Sequence, residues 1–212
     1  FVCHYFARMK KISPSSKPVQ ARSKLTERRF LKAFNELLRI HGFAATTIDS
    51  VAELSGQTRS AFLKRFGSKQ GALETLFAKY CEDAIGAMHD AVLELENASK
   101  LQPTLLSISQ RYEALLETHK GSNRAMQEHF LKGLEAHELT KGIFREGVEM
   151  MKHIQKRFLD DGTYTDQGAW AATQILVTLN YNYVLEAMPA FPVDHTERHH
   201  LIADLLQKAL YR

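Results

Sequence analysis

The stretch from Thr46 to Lys69, TTIDSVAELSGQTRSAFLKRFGSK, constrains the fold of this 212-residue chain more than any other. It predicts two short helices joined by a turn at Gly56, because glycine accepts a positive φ angle without strain. Thr47 and Thr58 stand where the two helices would begin, and threonine is a favoured residue at that position. The stretch therefore predicts a helix-turn-helix.

The second of these helices has an apolar face and a face that is free for other contacts. Phe62 and Phe66 are four residues apart, so both lie on the side that packs inward. The opposite side carries Arg59, Ser60 and Leu63. A helix this short is not stable alone, so packing must hold it in place. Its outer side is then free to enter a major groove of DNA.

Charge is distributed unevenly along the chain. Residues 1–80 hold 15 lysines and arginines against 5 acids, a net charge of +10, whereas residues 81–212 hold 13 against 19, a net charge of −6. A basic segment attached to an acidic body indicates a polyanionic partner for the first segment only. The alternative is a charged face that contacts water alone.

Three segments are expected from the order of the chain. Residues 1–24 are polar and basic and predict a flexible arm. Residues 25–70 predict a three-helix domain whose first helix ends at Gly42, and residues 71–212 predict a helical body. Met9 is a plausible natural start, so residues 1–8 are either native or an addition.

The fold class is expected to be all-α, with about nine helices. Only 5 prolines interrupt the chain, and no segment alternates apolar and polar residues as a strand would. The last two helices, expected at about 166–187 and 195–211, are strongly apolar. Two such helices suit a four-helix bundle formed with a second copy across a two-fold axis. The alternative is that they form core within one chain.

Several short motifs occur together in the first 80 residues. They are His41-Gly42-Phe43, Thr46-Thr47-Ile48, Val51-Ala52, Ser55-Gly56, Thr58, Phe62, Phe66, Ser68-Lys69 and Leu73. With these motifs, residues 25–80 resemble the DNA-binding domain of the TetR family of bacterial regulators. That family usually has a sequence close to AGVSxGTxYxHFxSKxxL here, where this chain has SGQTRSAFLKRFGSKQGAL. Leu63 replaces the usual tyrosine, Arg65 a histidine and Ser60 a glycine.

The resemblance implies roles for individual residues. Transferred by position, the residues expected to contact base edges are Arg59, Ser60 and Leu63. An arginine bonded to guanine gives about 1–3 kcal/mol of discrimination between bases. The candidates for phosphate contacts are Thr47, Ser50, Lys64, Arg65 and Lys69. The expected partners are double-stranded DNA with a near-palindromic operator and a second copy of the chain, which would dimerise through the last two helices.

The resemblance also implies a pocket for an unknown small-molecule effector in the helical body. The residues that could line it are Tyr112, Met126, Phe130, Phe144, Met151 and Trp170. Plain core packing is the alternative for each of them. The function expected overall is a DNA-binding transcriptional regulator, a repressor released by its ligand. The alternative is a helical ligand-binding or protein-interaction protein with a degenerate helix-turn-helix.

Other chemistry has little support in the sequence. His195 and His199 have the spacing of two metal ligands on one helix face. The start of that helix is polar and no cysteine lies near it, so neither a metal site nor a cofactor is expected. Catalytic motifs are missing, so the chain is not expected to be an enzyme.

The expected location is the cytoplasm, with no membrane contact. The spacing of Cys3 and Cys81 fits neither a metal site nor a redox motif, which favours a reducing compartment. No apolar run approaches the roughly 18 residues of a membrane-spanning helix.

Overall fold

The protein is almost entirely helical in the computed structural model, which describes residues 17–129, 134–159, 165–186 and 194–211. These ranges contain nine α-helices and no strand, which confirms the predicted all-α class. The helices are α1 (Lys17–Ala45), α2 (Ile48–Ser55), α3 (Arg59–Phe66), α4 (Lys69–Glu94), α5 (Leu101–Thr118), α6 (Lys120–His129), α7 (Leu134–Phe158), α8 (Asp166–Val184) and α9 (His195–Leu210), with a 3-10 turn at Leu95–Asn97. Among the described helices, none has the length and apolar character needed to cross a membrane.

Helix α1 begins earlier than the sequence predicted. We expected a flexible arm over residues 1–24, but residues 17–24 are helical, so the prediction was wrong for that part. Pro18 is the second residue of α1, where its missing N–H removes no hydrogen bond because the first-turn amides have no partner in the helix. Residues 1–16 lie outside the described residues. Gly42 interrupts the helix with φ 73° and ψ 173°, close to the predicted end.

Two compact units divide the chain between Leu76 and Phe77. In the first unit, α1 packs on α2, and α2 packs on α3. Its core is built from fully buried side chains on these three helices: Phe30, Phe34, Leu38, Val51 and Phe62. This core packs against the inner faces of α2 and α3 and so holds the helix-turn-helix in place.

The second unit is a helical bundle centred on α8 and α9. Both helices pack on α5, and α8 also packs on α7. The fully buried side chains that join them are Leu105, Leu116, Met151, Ile154, Leu176, Ile202 and Leu206. Gly168 lets α8 lie close to the end of α9, because a Cβ atom there would come within 2.9 Å of the Ala209 carbonyl oxygen.

Candidate nucleic-acid interface

The ends of α2 and the start of α3 are fixed by local hydrogen bonds. The Ser50 N–H donates to Thr47 Oγ1 and the Thr47 N–H donates to Ser50 Oγ, each over 3.1 Å, which forms a reciprocal capping box. Gly56 ends α2 in the left-handed region, with φ 64° and ψ 33°. Thr58 Oγ1 accepts a hydrogen bond from the Ala61 N–H over 3.2 Å and so caps α3. The predicted turn and both predicted caps are confirmed.

Helix α3 is held by aromatic packing on its inner face. Phe62 is 0% exposed, and its ring centroid lies 5.4 Å from that of Phe30 and 6.3 Å from that of Phe34, both edge-on. Phe66 adds a fourth ring, with its centroid 4.9 Å from that of Phe62. Edge-on aromatic pairs of this kind contribute about 0.5–1.5 kcal/mol each beyond the area they bury. The aromatic packing on its inner face thus holds an eight-residue helix in place.

The outer face of α3 consists of Arg59, Ser60, Leu63 and Lys64, all of which are exposed. Leu63, the residue that replaces the family's tyrosine, exposes 37% of its surface. Arg59 reaches back to α2, where its Nη1 atom lies 2.6 Å from Asp49 Oδ2. The first turn of α2 adds exposed Thr47 and half-buried Ser50. The predicted base contacts, and the phosphate contacts of Lys64, Thr47 and Ser50, stay predictions.

Arg65 points toward α1. Its Nη1 atom forms an ion pair with Glu27, its Nη2 atom donates to Ser23 Oγ over 2.5 Å, and its side chain is only 24% exposed. Both partners lie about forty positions earlier in the sequence, so no local pattern reveals the contact. Arg65 therefore links α3 to α1 in this fold. Its contact with phosphate stays a prediction.

Lys69 joins the first turn of α4 to the link between α1 and α2. Its Nζ atom donates to the carbonyl oxygens of Phe43, over 2.7 Å, and Thr46, over 2.8 Å. The ammonium also lies 4.3 Å from the centroid of the Phe43 ring, within the range of a cation–π contact. Burial lowers the pKa of Lys69 from its ordinary value. Sequence reasoning gave this lysine a phosphate contact and missed the two carbonyls, because backbone acceptors have no sequence signature.

Three of the predicted pocket residues lie in the interior of the second unit. Tyr112, Met126 and Met151 are buried, and the hydroxyl oxygen of Tyr112 lies 3.3 Å from that of Tyr80. Burial raises the pKa of Tyr112 to about 12. Phe130 lies outside the described residues. The interior position fits either a pocket wall or plain core packing.

The other two predicted pocket residues lie nearer the surface. Phe144 is half-buried, and its ring centroid is 6.1 Å from that of Trp170. Trp170 is 52% exposed, since the neighbouring Ala169 and Ala172 occupy the buried face of α8. The structure thus places Trp170 on the outer surface of α8, where we had expected the wall of an internal pocket.

Two clefts occur elsewhere in the second unit. One, of about 300 Å³, lies at the end of α4 and the start of α5, with Leu95, Pro103 and Arg111 in its walls. The other, of about 310 Å³, lies along α4 and α7, with Met88 and Met150 in its walls. None of the predicted pocket residues that the structure describes lines either cleft.

A buried polar cluster connects α5 and α9, and sequence reasoning found only part of it. The spacing of His195 and His199 on α9 was visible in the sequence. Glu113 of α5, which lies beside both histidines, was not visible, because only the packing of α5 on α9 brings these distant parts of the sequence together.

Comparison with protein families gives one match, at residues 30–76, which fit the family described as bacterial regulatory proteins, tetR family. The match spans the second half of α1, all of α2 and α3, and the first turns of α4. No curated protein is similar enough in sequence to match the chain.

Solved structures of similar fold cover most of the chain. A TetR-family regulator described as putative, from Mesorhizobium loti MAFF303099, has a TM-score of 0.68 at 14% identity, over 89% of this chain and 96% of its own. A complex of SmeT with triclosan has a TM-score of 0.62 at 16% identity, over 88% and 92%. The fatty acid degradation regulator FadR from Bacillus halodurans has a TM-score of 0.61 at 16% identity, over 93% and 96%. At these identities the likeness shows the fold.

Proposed function

We propose that this chain, whose residues 30–76 match the family described as bacterial regulatory proteins, tetR family, acts as a TetR-family repressor that a small molecule releases from DNA. It would bind a near-palindromic operator as a dimer, with one α3 helix from each copy in successive major grooves. The single observation that carries this proposal is the division of α3 into an anchored inner face and an exposed outer face. The resemblance of residues 25–80 to the family's DNA-binding domain supports it.

The outer face has the chemistry to contact DNA. Arg59 has the donor geometry for the O6 and N7 atoms of guanine, Ser60 can bond to either kind of base, and Leu63 can contact a thymine methyl group. Lys64 would contact phosphate, and the exposed start of α2, with Thr47 and Ser50, offers amide and hydroxyl donors near it. Contacts to bases would select the operator, whereas contacts to phosphate would strengthen binding to every duplex.

The proposed dimer uses the outer faces of α8 and α9. Trp170 is 52% exposed and Leu201 37% exposed, although both lie on helices whose inner faces are fully packed. Val177, which follows Trp170 on the same side of α8, is only half-buried. An apolar stripe of this kind suits a two-fold contact with a second copy. Trp170 fits this role better than it fits a ligand pocket.

The proposed effector is a small, largely apolar molecule that binds in the second unit. Tyr112, Met126 and Met151 remain candidates for its walls, because adaptable apolar side chains with a few polar groups are typical of such pockets. A solved relative of the fold is a complex with triclosan, a molecule of this class. The effector would release DNA only if it binds one shape of the dimer more tightly than the other.

The first test is a selection of duplexes bound by the whole protein from a random library, followed by fluorescence anisotropy. The variants Arg59→Ala and Lys64→Ala form a matched pair on the same face. We expect Arg59→Ala to reduce discrimination at one base pair, by about 1–3 kcal/mol. Lys64→Ala should weaken binding to all duplexes alike, and the negative slope of log affinity against log salt should become shallower by about 1.

Two outcomes would contradict the proposal. If the protein shows no salt-sensitive binding to any duplex, the alternative gains support: a helical ligand-binding or protein-interaction protein with a degenerate helix-turn-helix. If it binds DNA but both variants behave as the parent, α3 is not the recognition helix.

Sedimentation equilibrium of Trp170→Arg, compared with Lys156→Ala as a surface control, tests the dimer separately. Retention of the dimer in Trp170→Arg would exclude the α8 surface.

A further inference from the structure

Helices α5 and α9 bring one carboxylate and two imidazoles together in the second unit. Glu113, His195 and His199 each present one ligand atom, and the three atoms lie within 4.8 Å of one another. Glu113 and His199 are buried, whereas the His195 side chain is 64% exposed. The cluster thus has two fixed groups in the interior and a third at the surface, which gives it a route of entry.

The distances within the cluster suit metal ligands. His195 Nε2 lies 3.0 Å from Glu113 Oε1, and His199 Nε2 lies 3.1 Å from Glu113 Oε2. Nitrogen and oxygen ligands lie about 2.0–2.2 Å from a zinc ion, so two of them at a tetrahedral angle are separated by about 3.3 Å. The two nitrogen–oxygen distances are close to this value, and all three ligand atoms lie within 4.8 Å of one another.

His199 has the hydrogen-bond arrangement of a metal-binding histidine. Its Nδ1 atom lies 2.9 Å from Ser109 Oγ, a contact that fixes the ring. Its Nε2 atom is buried and makes no hydrogen bond, although the Glu113 carboxylate is close. Histidine ligands usually bond through one ring nitrogen to a neighbouring group and use the other for the metal. The Nε2 atom is therefore buried at the centre of the cluster, close to a carboxylate oxygen but without a hydrogen bond.

Arg198 supports the carboxylate from the other side. It is 0% exposed, its Nη2 atom pairs with Glu113 Oε2, and its guanidinium lies 3.3 Å from the centroid of the Tyr183 ring. Carboxylates that bind metals are commonly held by such an outer partner. The competing explanation is a metal-free network of ion pairs, in which Glu113 contacts Arg198, His195 and His199 together.

We propose that Glu113, His195 and His199 form a binding site for a divalent transition metal such as Zn²⁺. Two imidazoles and one carboxylate are a ligand set that zinc accepts, whereas Mg²⁺ and Ca²⁺ prefer oxygen ligands alone. With three protein ligands, a fourth position stays open to water or to a donor atom of a small molecule. The site would join α5 to α9. It does not depend on the proposed regulation of DNA.

The test uses the whole protein, freed of metal with a chelator and titrated with Zn²⁺ by calorimetry. We expect one ion per chain and a rise in the melting temperature, since a ligand of the folded state stabilises it. Co²⁺ should give the visible absorption of a four- or five-coordinate ion, and Mg²⁺ should give no heat of binding. A six-coordinate Co²⁺ spectrum would show adventitious surface binding and overturn the proposal.

Two variants on α9 make the test specific. His195→Ala removes the exposed ligand and leaves the buried core intact, and we expect it to weaken Zn²⁺ binding at least about 100-fold, since loss of an outer partner alone costs 10–100-fold. His200→Ala, an exposed neighbour outside the cluster, should bind as the parent does. Equal losses in both variants, or no binding to the parent protein, would leave only the network of ion pairs and overturn the proposal.

Discussion

Arg59 and Asp49 face each other across the turn between α2 and α3, with Nη1 and Oδ2 2.6 Å apart. Both side chains are more than half exposed, so the pair contributes only about 0–1 kcal/mol to stability. The guanidinium is thereby held on the outer face but can exchange its partner. Asp49 also places a negative charge beside the surface that we propose for DNA, where it opposes binding to any phosphate backbone.

Replacement of Asp49 by asparagine tests this relationship. We expect Asp49→Asn to bind random duplexes several-fold more tightly at low salt, because it removes repulsion from phosphate and releases Arg59. The ratio between selected and random duplexes should fall, while the urea midpoint should hardly change. Weaker binding to all duplexes would mean that Asp49 positions Arg59 for DNA.

Lys69 and Lys64 differ in environment and should differ in effect. Lys69→Met removes the donor to the carbonyl oxygens of Phe43 and Thr46. A hydrogen bond that involves a charged group contributes about 1.5–3 kcal/mol to stability. We expect the free energy of unfolding in urea to fall by about 1–3 kcal/mol. Lys64→Met, on the exposed face, should leave stability unchanged and weaken DNA binding. If Lys69→Met instead unfolds at the same urea concentration as the parent and only binds DNA more weakly, Lys69 contacts phosphate, as the sequence predicted.

The motif itself was predictable in detail because its determinants are local. The caps at Thr47 and Thr58, the left-handed Gly56 and the inward Phe62 depend on neighbours within a few positions, and all four were found as predicted. The start of α1 at Lys17 was not predicted from local sequence. The positive charge and Pro18 suggested a flexible arm, whereas helix propensity determined the structure of residues 17–24.

Contacts between distant parts of the chain were not predictable. The contacts of Arg65 with Glu27 and of Glu113 with His199 depend on how the helices are rotated against one another. The periodicity of a sequence does not define that rotation. For the same reason Trp170 was expected inside the second unit, where aromatic residues are common, and is found on the surface of α8. Roles in binding DNA came from family resemblance, and they stay predictions.

Stability should depend on pH through His119. Its Nε2 atom lies 3.1 Å from Asp83 Oδ2, and Tyr80 packs against its ring, but burial outweighs the carboxylate and lowers the pKa of His119. A lowered pKa means that the unfolded chain binds the proton more tightly than the folded one. The free energy of unfolding should therefore fall as the pH drops below about 6.5.

The variant His119→Gln isolates this contribution from that of the other histidines. Urea unfolding between about pH 7 and pH 5 should give a shallower dependence on pH for the variant than for the parent. His153→Gln, an exposed histidine on α7, is the matched control and should keep the parent's slope. A steeper slope in His119→Gln would mean that the proton is bound more tightly in the folded state.

Cys81 should be inert while the protein is folded. It is buried, and burial together with nearby Glu82 raises the pKa of its thiol to about 12. At about pH 8 almost no thiolate is present, and thiolate is the reactive form. In a Cys3→Ser background, we expect iodoacetamide to label Cys81 only at the rate of unfolding, and quickly in urea. Rapid labelling of the folded protein would show that α4 opens locally.

The fixing of α3 through Phe62 and Phe66 has a consequence for how the protein can change over generations. Since the rings of Phe30 and Phe34 pack on the inner side of α3, substitutions at the exposed Ser60 and Leu63 leave this aromatic packing in place. Such surface changes usually alter stability by less than about 0.5 kcal/mol. If α3 is the recognition helix, as we propose, preference for a DNA sequence can drift at these positions while selection for folding acts on the aromatic side, and one scaffold could serve different operators.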